Sequence, residues 1–308
     1  MRALSTTRVL LIVFGVSAVA AFLPFWFSGY ILGLLTLAYY FGVFAMACDL
    51  LFGFAGEVNF GPTFLIGTGA YTAGILDNLY QPPIAVCLVA GALAAVAGGV
   101  ILALPALRVR GPYFGLTTLV AVLMLQNFIV VDANLTGGEI GLTVPDVISV
   151  SDAINYEIAL WFMAASAAIL FSLSRSPVGL ILQASGQDAV QAGALGFNVT
   201  KHKLAAFITS AFFSGLAGGL LIFYLGSASV GTLVDITVGV QIIIAAVLGG
   251  RRTILGAVLG AVFLIAMSEA LRPLGDLSNF VVSAMALVVV LLFPGGLLGL
   301  LTRSRDTV

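Results

Sequence analysis

The run Ile84-Ala-Val-Cys-Leu-Val-Ala-Gly-Ala-Leu-Ala-Ala-Val-Ala-Gly-Gly-Val-Ile-Leu-Ala-Leu104 is apolar throughout, with Pro82-Pro83 before it and Arg108 beyond. The hydrocarbon layer of a bilayer is about 30 Å thick and a helix rises about 1.5 Å per residue, so roughly 20 such residues cross it. Runs of the same kind occur at Val9–Phe27, Tyr30–Leu51, Pro62–Leu79 and Pro112–Val131. Further runs lie at Glu157–Leu173, Lys203–Leu225, Asp235–Gly250, Thr253–Leu271 and Ser278–Leu298. The run after Arg2 and Arg8 continues past its small residues through Trp26 and Phe27, which makes it a retained span rather than a cleaved leader. About ten spans would use roughly two thirds of the chain. The composition agrees, with 61% hydrophobic and 8% charged residues in 308, against about 25% charged in soluble domains. The sequence therefore predicts an all-α, polytopic membrane protein of about ten transmembrane helices, forming one domain over residues 1–308.

Charge was not used to find these spans, and it orders them. With the N-terminus in the cytoplasm, Arg2, Arg8, Arg108, Arg110, Arg175, Lys201, Lys203, Arg251, Arg252, Arg303 and Arg305 fall on the cytoplasmic side, and only Arg272 falls outside. Cytoplasmic loops carry the excess of Lys and Arg, so both termini are expected in the cytoplasm. The opposite side holds Asp77, Asp132, Glu139, Asp146, Asp152, Asp235 and Asp276. Two loops are long: an outer one at about 132–156 and an inner one at about 175–203. Ten spans divided into five-helix halves have halves of opposite topology, as in transporters built from inverted repeats.

The segment Gly53-Phe-Ala-Gly56-Glu57-Val-Asn59-Phe-Gly61-Pro62 interrupts two apolar runs. Proline lacks a backbone donor and glycine weakens a helix, so the helix should break near 53–62. Irregular backbone at membrane depth survives only where it is buried in protein or faces water. One reading makes this a broken helix beside a translocation path, with Gly53, Gly56, Glu57, Asn59 and Gly61 at the path and Gln126 on a neighbouring span. The other makes it a cytoplasmic turn with Glu57 hydrated. Asp49 and Glu269 sit near span ends, where snorkelling or interfacial hydration accounts for them. Gly215 and Gly219, Gly256 and Gly260, and Gly295 and Gly299 each stand four apart, a spacing that lets helix backbones pack closely.

The inner loop carries two short apolar stripes, Leu180, Ile181 and Ala184, then Val190, Ala194 and Leu195. Few basic residues flank them, so they fit a groove on a partner better than a membrane surface. Chemistry within the chain has little to work with. Cys48 and Cys87 form neither a disulfide framework nor a metal site, and His202 is the single histidine. No catalytic or metal-binding residues are assigned. Lys201 and Lys203 follow no G-x-x-x-x-G-K-[ST] frame, so an ATP motor would be a separate polypeptide. Near-zero net charge gives no basic patch for nucleic acid.

Seven stretches go together: Gly53-Phe-Ala-Gly-Glu-Val-Asn-Phe-Gly61 with Gly67-Thr-Gly-Ala-Tyr71, Leu107-Arg-Val-Arg-Gly-Pro-Tyr-Phe114, Thr136-Gly-Gly-Glu-Ile-Gly-Leu142, Ser176-Pro-Val-Gly179, Ala194-Leu-Gly-Phe-Asn-Val-Thr-Lys201, Val247-Leu-Gly-Gly250 and Gly256-Ala-Val-Leu-Gly260. These stretches resemble the LivM-like permeases of branched-chain amino acid ABC importers. They stand in order over nearly the whole chain. The resemblance implies a bacterial inner-membrane permease subunit that imports a branched-chain amino acid or a related small polar solute. It implies a second, LivH-like permease, two cytoplasmic ATPases that bind the ATP and magnesium, and a periplasmic solute-binding protein. The coupling contact to the ATPase is then expected at Ala184, Ser185, Gly186, Gln187, Asp188 and Ala189. Relatives for urea, amides or sugars leave the solute open. An ion-coupled secondary transporter using Asp49, Glu57 or Glu269 is the alternative mechanism. A reporter fused at Ala184 should read as cytoplasmic, and a periplasmic reading there would overturn the threading.

Overall fold

The apolar runs fold as helices in a computed structural model that describes residues 6–27, 29–109 and 112–275, with single positions at 277, 280, 281, 284 and 296. The chain runs through α1 (Thr6–Ala20), α2 (Gly29–Asp49, continued by a wide turn Leu50–Phe54), α3 (Pro62–Tyr80), α4 (Ile84–Ala106) and α5 (Pro112–Val131). A short α6 (Ala133–Thr136) and strand β1 (Leu142–Thr143) precede α7 (Asp152–Arg175). Next come α8 (Pro177–Gln187), α9 (Ala189–Ala194) and α10 (Val199–Leu225). Strand β2 (Ser227–Ala228) and a second wide turn, Val230–Val234, lead into α11 (Ile236–Gly249) and α12 (Ile254–Ala270).

Among the described residues, seven helices are long and apolar enough to cross a bilayer: Thr6–Phe25, Gly29–Phe54, Ile84–Ala106, Tyr113–Val131, Asp152–Arg175, Val199–Leu225 and Val230–Gly249. Helices α3 and α12 occupy two more of the expected spans; α3 is interrupted by polar and small residues, and α12 has only 17 residues. The expected run Ser278–Leu298, with Gly295 and Gly299, lies outside the described residues. Some expected boundaries move for local reasons. Helix α7 starts at Asp152, whose carboxylate complements the helix N-terminus, and α10 starts at Val199, because Asn198 Oδ1 accepts from the Lys201 N–H at 3.0 Å. Helix α3 stops where Gln81 turns left-handed ahead of Pro82 and Pro83.

Contacts sort the helix termini into two ends. At the first, Val9, Phe54, Arg175 and Arg252 line one recess, and Glu57 meets Lys203. At the other, Asp77 accepts from the Asp146 N–H at 3.2 Å, and Tyr30 donates to Glu269, which also holds Arg272 at 3.3 Å. The described basic residues expected together thus include a set that does meet at one end, with Arg272 at the other. The long segment before α7 lies over that second end: β1 pairs antiparallel with β2 through Leu142↔Ala228, and Asn78 Nδ2 donates to the Thr143 carbonyl at 3.0 Å.

Two packing styles fill the interior. Helices α3, α4 and α10 touch through small residues. A Cβ on Gly69 would lie 2.4 Å from the Gly215 Cα, and one on Gly215 would lie 2.3 Å from the Ala95 Cβ. Around α2 and α7, bulk does more of the filling, with Tyr40, Phe44 and Tyr156 fully buried. The Tyr156 hydroxyl sits 3.1 Å from that of Tyr39 and donates to the Ala20 carbonyl, which fastens the end of α1 to α7. Elsewhere α1 is almost bare of protein contact and packs chiefly on α7. Gly256 and Gly260 lie against Gly249 and Ala245, so this pair too packs within the bundle.

Close backbone approach leaves no room for a branched side chain. Gly69→Val and Gly215→Val should each destabilise the detergent-solubilised protein by about 1–3 kcal/mol. Gly15→Ala, which meets nothing within 4 Å, should leave thermal stability unchanged.

Candidate functional site

The end that holds Glu57 and Lys203 is where short helices, irregular backbone and charge meet. Helix α7 stops at Ser176, whose extended backbone turns the chain and whose Oγ faces the Gly179 N–H; Pro177 then starts α8. Helix α8 buries Gly179, Leu182 and Ser185 and exposes Leu180 and Ala184. Asp188 breaks the run. Its Oδ1 accepts from the N–H groups of Val190 and Gln191 at 2.9 and 3.0 Å and so caps α9. Helix α9 buries Ala192 and leaves Val190 73% exposed; Leu195, just past its end, is 74% exposed. Much of the predicted apolar striping is therefore uncovered, at Leu180, Val190 and Leu195.

The residues expected at the coupling contact divide in two. Ala184, Gln187 and Ala189 are exposed, Asp188 serves the cap, and Ser185 and Gly186 turn inward. The Ser185 hydroxyl is bonded to the carbonyls of Ile181 and Leu182. Gly186 lies against the Phe54–Gly56 backbone. Beside it opens a cleft of about 660 Å³ whose lining includes Glu57, Leu107, Gly186, Val190, Thr200 and Lys203.

The 53–62 interruption is a turn region at the helix ends, yet it is not loosely hydrated. Helix α2 widens over Leu50–Phe54, and the chain then runs without regular structure to Pro62. Glu57 Oε1 lies 2.5 Å from Lys203 Nζ, with the two side chains only 18% and 13% exposed. Asn59 is buried, and its Oδ1 accepts from the Gly61 N–H at 2.8 Å. The Phe60 N–H reaches Thr118 Oγ1 on α5 at 3.0 Å. Gln126, also on α5, stands apart from this loop and donates to the Val234 carbonyl at 3.0 Å.

Asp49 departs from the expectation of interfacial hydration. It is fully buried, its Oδ1 accepts from the Arg252 N–H at 3.0 Å, and Arg252 Nε donates to the Gly53 carbonyl at 3.0 Å. Arg251 stacks over the Phe52 ring at 4.4 Å. The carboxylate thereby ties the end of α2 to the turn before α12. Sequence reading did not single out Thr118, Lys203 or Arg252 as partners; each lies far along the chain from the group it meets. Glu269, at the opposite end, is held by Tyr30 and Arg272.

The sequence family described as the branched-chain amino acid transport system / permease component matches residues 30–293. The LivM permease protein of the high-affinity branched-chain amino acid transport system of Salmonella typhimurium is 25% identical, with 96% of this chain and 76% of that protein covered. LivM of Escherichia coli gives the same identity and coverage. The ribose import permease protein RbsC of Haemophilus influenzae is 28% identical over 43% of each chain. No solved structure matches.

Removing the Asp49 acceptor leaves the Arg252 N–H without its partner at a buried junction. Asp49→Ala should lower stability by about 1–3 kcal/mol, whereas Asp49→Asn, which keeps an acceptor oxygen, should retain most of it. Thermal unfolding in detergent compares the two.

Proposed function

Because the chain belongs to the branched-chain amino acid transport system / permease component family, we propose that it lets a branched-chain amino acid through the bacterial inner membrane as the permease subunit of a binding-protein-dependent ABC importer. The observation that carries the mechanism is the pair of short helices α8 and α9 at the basic end of the bundle, with Leu180, Val190 and Leu195 left uncovered. Exposed apolar side chains on short helices, such as Leu180 on α8 and Val190 on α9, are of the sort that inserts into a partner's groove.

The partner in this reading is a cytoplasmic ATPase. Residues 175–203 are its coupling segment, with Ala184, Gln187 and Ala189 toward the ATPase, Asp188 shaping the tip, and Ser185 and Gly186 toward the bundle. ATP and magnesium stay on two such ATPase subunits, since this chain has no phosphate-binding lysine frame. A LivH-like second permease completes the pathway, and a periplasmic binding protein delivers solute near the 132–156 segment. Both termini are then cytoplasmic, a placement supported by Arg175, Lys203, Arg251 and Arg252 at the coupling end. The chain as a whole, 1–308, is one permease domain.

Ten crossings in two inverted halves are supported by a repeated pattern. Helix α2 ends in a wide turn and irregular chain, after which α3 starts against protein; α10 is followed at the opposite end by strand, wide turn and α11. The starts of α3 and α11 meet, with a Cβ on Gly239 lying 3.4 Å from Thr63 Oγ1. The solute path in this reading passes these paired starts, near the Gly53–Gly61 loop and Gln126. Opening alternately to either side is a shift between two populated states that ATP binding biases.

Asp49, Glu57 and Glu269 each already hold a protein partner, which favours an ATP-driven mechanism over an ion-coupled one. The match to the ribose permease covers less than half of either chain, which favours an amino acid over a sugar. In membrane vesicles supplied with ATP, leucine uptake should persist when ion gradients are collapsed; its loss there would favour the ion-coupled mechanism. Ala184→Glu or Ala189→Glu, both at exposed positions, should abolish leucine-stimulated ATPase activity and leave the melting temperature unchanged. Undiminished stimulation would defeat the docking assignment.

A further inference from the structure

The coupling segment grips the irregular loop at two points, and each grip is short and direct. The first is backbone on backbone. Gly56 has φ +72°, and a Cβ there would lie 2.7 Å from the Gly186 carbonyl oxygen; a Cβ on Gly186 would lie 2.5 Å from the Phe54 carbonyl oxygen. No side chain separates the last turn of α8 from the loop, so neither can shift without displacing the other. The second grip is the Glu57–Lys203 ion pair at 2.5 Å. Lys203 lies in the first turns of α10, just past α9, so α9 is bracketed by Gly186 on one side and Lys203 on the other.

Beyond this clasp the loop leads straight into α3. The Phe60 N–H is held by Thr118, Gly61 packs on the Thr118 carbonyl, and α3 then runs under Val234, which a Cβ on Gly67 would meet at 2.6 Å. A push on α8 and α9 therefore has a route to α3 through this loop, beside the one through α10, which packs on α3 directly. Removing either ion-pair partner would leave an uncompensated charge in a mostly buried place and loosen one side of the clasp.

From this geometry we propose that Glu57 and Lys203 are positioning residues for transport: their ion pair, with the Gly56–Gly186 contact, holds the coupling segment and the Phe54–Gly61 loop together as one moving body that carries the ATPase stroke to α3. The proposal rests on the reading of α8 and α9 as the ATPase contact. It places Glu57 in transmission and not in the solute path.

The test uses the full importer, with its companion permease, ATPases and binding protein, in proteoliposomes with radiolabelled leucine as probe. The quantity read is leucine transported per ATP hydrolysed, alongside co-purification of the ATPases. Glu57→Lys and Lys203→Glu should each lower the ratio about tenfold, within the usual range of coupling between sites, while the ATPases still co-purify. The charge swap that combines them should recover most of the ratio. The neutral pair Glu57→Gln with Lys203→Met removes buried charge without restoring the link, and should stay low. A merely structural pair would be rescued equally by both doubles, and that result overturns the proposal, as does rescue by neither when both fold. Should the swap fail to fold, Glu57→Cys with Lys203→Cys gives a second route, because Cys48 and Cys87 are buried. Joining the new thiols with a short bifunctional reagent should raise the ratio. No rise, or a fall, means that the two segments must part during transport and sinks the idea. Loss of ATPases from the single variants also sinks it, by making the pair part of docking. Failure of the docking assignment itself shows separately, as ATPase stimulation that survives Ala184→Glu and Ala189→Glu.

Discussion

A lipid bilayer offers no hydrogen-bond partner, so every backbone group that leaves a helix must find one within the protein. The two irregular stretches before α3 and α11 obey this constraint with side chains. Asn59 accepts from Gly61, Thr118 accepts from Phe60, Gln126 donates to Val234, and Asp49 accepts from Arg252 ahead of α12. These four polar residues, which invite assignment as solute ligands, are here occupied in keeping broken backbone satisfied. The breaks in turn let α3 and α11 begin against protein at the same place, Thr63 beside Gly239.

The rest of the bundle divides by how closely backbones approach. Helices α3, α4 and α10 meet through Gly69, Gly91, Gly215 and alanines, a dispersion-driven contact suited to lipid, where no hydrophobic force draws helices together. Such a stack resists shear because each backbone fits the next. The neighbouring pair α2 and α7 uses large rings and aliphatic side chains, which have more rotameric freedom. Loop 54–61 connects one group to the other, so the clasp on it acts at the boundary between them.

Much of this was legible in the sequence. Apolar length located the helices, and the basic residues foretold which ends would meet, because both signals are local and additive along the chain. Pro62 and the glycines at 53, 56 and 61 marked the break for the same reason. Partner choice was not legible: Glu57 finds Lys203 and Asp49 finds the Arg252 N–H only after the intervening helices have folded. The direction of the apolar stripe on α8 was equally hidden. Leu182, adjacent to the predicted stripe, took the buried position, while Leu180 was left outside. A helix of three turns has two usable faces, and the tertiary neighbours decide between them.

Helix α1 rests chiefly on α7, with Tyr156 reaching the Ala20 carbonyl. During synthesis at about 5–20 residues per second, its support emerges from the ribosome some seconds after α1 itself has entered the bilayer. For that interval α1 holds its place without α7, stable through its own apolar length and backbone bonding. Its nearly uniform lipophilic surface, with Leu11, Val16 and Val19 facing outward, thus serves biogenesis before it serves architecture. Early insertion and late docking leave α1 facing lipid first, and only afterwards make it a flank of the folded bundle.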